Sequence, residues 1–173
     1  KSRWNFLPPP QNSLSGRSPP PPRGKALGGS SSMNRIIDSR GHAGDYARWA
    51  EAGCPGWDWG SVLPYFKKSA NSRLGQDPRL HGTGGELNVE AARDPNPVSR
   101  LFVNAAKRVG IRQNDDFNGE TLEGCGIYNL TQKDAKRLSS YRAFVAPVLD
   151  RPNLTVITDC SVQSLILEQR VAK

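Results

Sequence analysis

A length of 173 residues fits one domain, with a low hydrophobic share of 36% and abundant glycine (17) and proline (14). No run is long enough to cross a membrane, and three cysteines without CxxC spacing beside only two histidines exclude a zinc finger and argue against a disulfide scaffold. The net charge of +8 is uneven: six of the 24 basic residues precede the first acidic one, Asp38, leaving 18 against 16 in the remainder.

The first 37 residues therefore read as a basic arm, and they also hold Pro8–Pro10 and Pro19–Pro22. Such a stretch is expected to be extended or disordered by itself, because proline cannot donate backbone hydrogen bonds. The next segment, GKALGGSSSMN, passes from glycines to serines suited to capping a helix. A short helix is predicted over Asp45–Ala52, with Tyr46, Trp49 and Ala50 on one face and Gly53 as its stop. The Gly56–Trp59 turn leads to a second helix with Val62, Leu63 and Phe66 inward and Pro64 in its first turn.

Residues 70–85 read as loop, ending in HGTGG, and Glu86–Val89 as a strand. The clearest helix runs from Pro97 to Val109, capped by Asn96, with Val98, Leu101, Phe102, Ala105 and Val109 at helical spacing before Gly110. A polar loop follows over 113–126. A strand over Tyr128–Lys133, helix from Ser139 to about Val148, and strands over Leu154–Thr158 and Val162–Glu168 complete the chain. Gln169–Arg170 turns into Val171–Lys173, a return strand without its partner. The mixture is α+β. That edge, and a start at Lys1 with Met33 the only methionine, create the expectation of a piece of a longer protein.

Among the motifs, RGKALGGSSS is the most informative. Adjacent glycines allow positive φ and close ligand approach. Hydroxyls and N–H groups at a helix start, with Arg23 and Lys25 beside them, fit an anion such as phosphate. A flexible Gly/Ser linker fits the same residues. GxxxxGK[ST], GxGxxG and GxSxG are all absent. The Asn114–Asn118 loop lacks both the DxDxDG spacing and the bidentate Glu of a calcium site and reads as a turn, so no metal is expected. The Trp49, Trp57, Trp59, Tyr65 and Phe66 cluster reads as core rather than a base-stacking platform. The sequons at Asn129 and Asn153 fall in predicted strands, and with no signal-peptide pattern and an odd number of cysteines a cytoplasmic location with reduced thiols is expected.

The blocks PRGKALGGSSSMN, RGHAGDYARWAEAGCPGWDW, VLPYFKKS, HGTGGELNV, DFNG, EGCGIYNLTQKD and RPNLTVIT, in this order, resemble the glucose–methanol–choline (GMC) oxidoreductases, especially choline-dehydrogenase-like alcohol dehydrogenases. The resemblance covers about Trp4 to the end. It implies a flavoprotein passing hydride from an alcohol to FAD. Position by position it implies that Ser30 and Asn34 touch FAD, that Arg23, Gly24, Leu27, Gly28 and Gly29 shape the contact, and that the Val162 backbone meets the adenine.

It further implies a partial FAD-binding domain with part of the substrate-binding domain: residues 1–43 as arm and FAD segment, 44–150 as mixed FAD and substrate domains, and 151–173 as return strands. Met33 stands where some members carry a flavin-linked histidine, so the FAD is expected to be non-covalent. Arg35 and Asp38 depart from the small and aromatic residues usual there. The family's GxGxxG unit and catalytic histidine have no counterpart here. His42 and His81 take structural or loop roles, no residue is assigned to catalysis, and the segment alone is expected to be inactive.

The implied partners are a small alcohol, met by the full-length protein, and the missing N- and C-terminal parts, without nucleic acid or a membrane span. Two alternatives remain: a non-enzymatic basic module binding polyanions through residues 1–37, and an unstable remnant reading frame.

Overall fold

The computed structural model describes residues 3–172. In chain order it contains β1 (Arg3–Trp4), β2 (Arg23–Gly24), α1 (Ala43–Glu51), α2 (Trp59–Ser69), β3 (Ala70–Ser72), β4 (Leu87–Glu90), α3 (Pro97–Arg108), β5 (Leu130–Lys133), β6 (Lys136–Arg137), β7 (Leu167–Glu168) and β8 (Val171–Ala172). The α+β expectation holds.

The proline-rich arm is not a free tail. β1 pairs antiparallel with β2, Arg3 opposite Gly24 and Trp4 opposite Arg23, so the segment closes on itself. Lys25 Nζ lies 4.6 Å from the centre of the Trp4 ring, which stacks on Phe6. The prolines prevent a long ladder, and a single 3₁₀ turn at Asn12–Leu14 reverses the chain between them.

α1 starts two residues earlier than its apolar pattern predicts. His42 caps it: its Nδ1 accepts from the Gly44 N–H, while the Asp45 carboxylate accepts from the His42 N–H, a reciprocal capping box. Asp58 caps α2 through the Ser61 N–H and hydroxyl. Pro64 sits in the second turn of α2 rather than the first. The two helices meet around Tyr46, which is buried, with Trp49, Trp59 and Phe66 rings at centroid distances of 5.3–5.9 Å. Only part of the predicted aromatic core is covered. Trp49, Trp57 and Tyr65 remain exposed.

The central sheet has the order β3-β4-β5-β6, with β3 parallel to β4 and the other pairs antiparallel. On β5, Leu130 also bridges Ile37, and the Thr131 N–H donates to Ile36 O at 2.7 Å while the Asp38 N–H donates to Asn129 O at 2.9 Å. The stretch just after GGSSSMN is thereby laid along the same strand that begins the β5–β6 hairpin.

α3 has its predicted Asn96 cap, donating partner Val98 N–H, and stops before Gly110 at φ 87°. Its apolar stripe, however, faces outward. Val98, Leu101, Phe102 and Val109 are 66–77% exposed, and Ala106 is the residue that is buried.

Helix beyond Ser139 is one π turn, Tyr141–Val145, followed by a 3₁₀ turn at Ala146–Val148. The predicted strand over Leu154–Thr158 is absent, and of Val162–Glu168 only β7 forms, pairing with β8. Those apolar runs find no neighbouring strand, and the left-handed Asp159 (φ 55°) interrupts them. The accessible surface of 13271 Å² far exceeds the roughly 8300 Å² that size scaling gives a compact monomer of 18.9 kDa. Among the described residues no large side chain is fully buried.

Candidate functional site

The GGSSS segment folds as a 3₁₀ turn, Gly29–Ser32, not the start of an α-helix. A four-residue turn carries no appreciable macrodipole, so the anion argument from a helix start does not apply. What organises the turn instead is close backbone packing. A Cβ on Gly24 would fall 2.2 Å from Gly29 O and 2.9 Å from the Ser30 nitrogen, so only glycine lets β2 press against the Gly29–Ser30 peptide. The Gly24 N–H donates to Ser30 Oγ at 3.1 Å, and Ser32 Oγ donates to Leu27 O at 2.7 Å.

Gly28 and Gly29 both take left-handed conformations, φ 85° and 54°. On Gly28 a side chain would meet Ser32 Oγ and Ser139, whereas nothing lies within 4 Å of where a Gly29 side chain would be. One face of the turn is packed and the other is open backbone.

The packed face is held by residues more than a hundred positions away. Arg137 donates Nη1 to Ser31 O (3.0 Å) and to Asn34 Oδ1 (2.9 Å), and Nη2 to Asn34 O (2.6 Å). Ser140 donates its N–H to Ser31 Oγ and its hydroxyl to Gly28 O. The β5–β6 hairpin delivers these groups. Its turn residues Asp134 and Ala135 are both left-handed (φ 53° and 59°), and the Glu90 carboxylate accepts from both of their N–H groups.

The expected site residues thus fall into three groups. Gly24, Gly28, Gly29, Ser30 and Asn34 come together in one turn. Arg23 and Leu27 flank it, Arg23 with Nη1 on Pro22 O and Leu27 45% exposed. Val162 lies in irregular chain, not in a strand, and is 75% exposed. The residues just before it, Ile157–Ser161, line a cleft of about 470 Å³ with Trp4 and Gly24–Leu27. Arg137 and Ser140 were not foreseen. They lie 103 and 109 residues beyond their partners, and no local pattern marks them.

A second, buried cluster anchors the chain after the turn. His81, expected as a loop residue, is in a loop but 5% exposed. Arg40 reaches its Nδ1 at 3.4 Å and Leu80 O at 2.6 Å. A guanidinium can only donate, so Nδ1 is the acceptor and Nε2 carries the hydrogen given to Asp116 Oδ2 at 2.8 Å. Asn118 donates to Asp38 Oδ2 and accepts from the Arg40 N–H. Burial raises the Asp38 carboxyl above its ordinary value, outweighing the lowering by Arg40 and by the Asn118 hydrogen bond. Burial also lowers Arg40, against the support of Asp38 and Asp116.

The neighbouring NDDFNG loop spends its side chains on its own backbone. Asn114 Oδ1 accepts from the Asp116 N–H and Asp116 Oδ1 from the Asn118 N–H, as in successive Asx turns.

The sequence pattern of the GMC oxidoreductases matches residues 13–173. The chain is 44% identical over 172 residues to an alcohol dehydrogenase [acceptor] of Pseudomonas putida, covering 99% of this chain and 31% of that protein. It is 40% identical over 169 residues to an oxygen-dependent choline dehydrogenase of Brucella anthropi, covering 98% and 30%. Among solved structures, pyridoxine 4-oxidase from Mesorbium loti superposes with a TM-score of 0.86 at 30% identity, over 97% of this chain and 33% of that one. An FAD-dependent oxidoreductase from Chaetomium thermophilum gives 0.85 at 25% identity, over 99% and 32%. The chain spans about a third of the length of each. With that agreement along nearly its whole length, the glycine-packed turn included, the chain belongs to the GMC oxidoreductase family.

Proposed function

We propose that this chain is a portion of an FAD-dependent oxidoreductase acting on CH–OH groups, converting a small alcohol to an aldehyde or ketone. The observation that carries the reading is the Gly28–Asn34 turn, packed on one face by Gly24, Arg137 and Ser140 and open as bare backbone at Gly29. An extended, polar ligand laid against such a face meets peptide groups without side-chain obstruction. The residues present fit FAD: Gly28, Gly29, Ser30 and Asn34 would hold it, Arg23, Gly24 and Leu27 would shape the contact, and Val162 would meet the adenine. Met33, without a ring nitrogen, supports a non-covalent cofactor. The chemistry supplied by bound FAD is acceptance of a hydride from the alcohol carbon.

The proton of the alcohol needs a base, and this chain's histidines are committed elsewhere. His42 caps α1, and His81 is bonded to Asp116 and Arg40. On this reading the base is supplied from outside these 173 positions and the segment alone is expected to be inactive. The test is to purify the full-length protein carrying this chain, titrate it with FAD by fluorescence, and add primary alcohols anaerobically. Stoichiometric FAD binding and bleaching of the flavin band by an alcohol are expected. A full-length protein with no affinity for FAD would overturn the reading.

A further inference from the structure

The amide of Asn34 is held in one orientation. Its Oδ1 accepts from Arg137 Nη1 at 2.9 Å and from the Ile36 N–H at 3.0 Å. Turning the amide over would set its NH₂ against two donors, so the flipped state is disfavoured by two lost hydrogen bonds and a donor–donor clash. Among the described residues, Nδ2 has no acceptor of its own, and Asn34 is exposed. Arg137 also grips the backbone on both sides of this residue stretch, at Ser31 O and Asn34 O. Its own position is set by the β5–β6 turn and by pairing with Gln132.

We propose that Arg137 is a positioning residue that makes Asn34 a fixed hydrogen-bond donor to an acceptor atom of FAD. This rests on the cofactor reading above. Without the guanidinium, the amide keeps only the Ile36 N–H to hold its orientation, and the turn loses three hydrogen bonds to a charged group. With it, the two N–H donors of Nδ2 stay available, and the positive charge behind the amide strengthens them. The acceptor belongs either to the isoalloxazine ring or to the pyrophosphate, and the two differ in what the flavin spectrum reports.

The experiment measures FAD dissociation constants and bound-flavin absorption for the full-length protein and for Arg137→Met, Asn34→Ala, the double variant and Asn34→Asp. Arg137→Met is expected to weaken FAD by about tenfold or more in the wild-type background and by little in the Asn34→Ala background. A shifted absorption band or midpoint potential places the acceptor on the ring, and weakened binding with an unchanged spectrum places it on the pyrophosphate. Asn34→Asp keeps an oxygen for Arg137 but has no N–H, so it is expected to weaken FAD by a similar factor while its melting temperature stays near wild type. Equal losses from Arg137→Met in both backgrounds, or no loss, would overturn the proposal. Wild-type affinity in Asn34→Asp would do so as well, even if Arg137→Met did not fold. Failure of the wild-type protein to bind FAD is a distinct result and removes the cofactor reading beneath it.

Discussion

At the scale of single residues, the turn at Gly28–Asn34 depends on what is missing from Gly24. Gly24→Ala puts a methyl 2.2 Å from a carbonyl oxygen and 2.5 Å from its carbon, so backbone must move. We expect a loss of about 1–3 kcal/mol in urea unfolding, the range for overpacking, together with weakened FAD binding. Asp38 makes a different prediction. Its pKa is raised in the fold by burial, so its contribution to stability is fully present below the unfolded value of 3.8 and is lost as pH rises through the folded value. Asp38→Asn retains an oxygen for Asn118 and carries no charge. Its stability relative to wild type is therefore expected to improve as pH rises from 3.5 to 8, and a difference that stays flat over that window would refute the burial argument.

At the scale of elements, short-range signals were readable and long-range ones were not. The Asn96 cap and Gly110 stop of α3 follow from local backbone chemistry, and both were legible. So was the strand containing β5. That the stripe of α3 faces outward was not legible, because periodicity reports amphipathicity, not which face finds a neighbour. Leu154–Thr158 has strand composition but no partner strand, and pairing is a property of the whole sheet.

The positive φ of Gly28 and Gly29 was legible, whereas the clasp of their turn at Arg137 and Ser140 was not, because its two halves share no sequence neighbourhood. Two element-level outcomes follow. Ala135→Gly relieves a left-handed alanine (φ 59°) in the β5–β6 turn and is expected to stabilise the protein by about 1 kcal/mol in urea unfolding. His42→Ala removes the side-chain acceptor of the α1 capping box and is expected to cost about 1 kcal/mol by the same measurement.

At the scale of the whole molecule, the surface is the dominant fact. The excess of roughly 5000 Å² over a compact monomer of this mass is carried partly by apolar residues. They include Leu101 and Phe102 on α3, and Ile157, Val162 and Leu165 near the end of the described chain. Expressed alone, the 173 residues are expected to bind a hydrophobic dye strongly and to melt over a broad range, whereas the full-length protein binds little dye and melts cooperatively. A sharp melt and no dye binding by the isolated chain would show that this surface is self-sufficient.

The clasp between the turn and the hairpin also sets an order of events during synthesis. Asn34 and Arg137 are 103 residues apart. At translation rates of about 5–20 residues per second, the turn leaves the ribosome roughly 5–20 s before the guanidinium that sets it. Until then the Gly28–Asn34 stretch lacks its long-range hydrogen bonds and samples many conformations, so a cofactor arriving early meets no formed site. For the cofactor site proposed above, this order predicts loading no earlier than completion of β6, rather than on emergence of the glycines themselves.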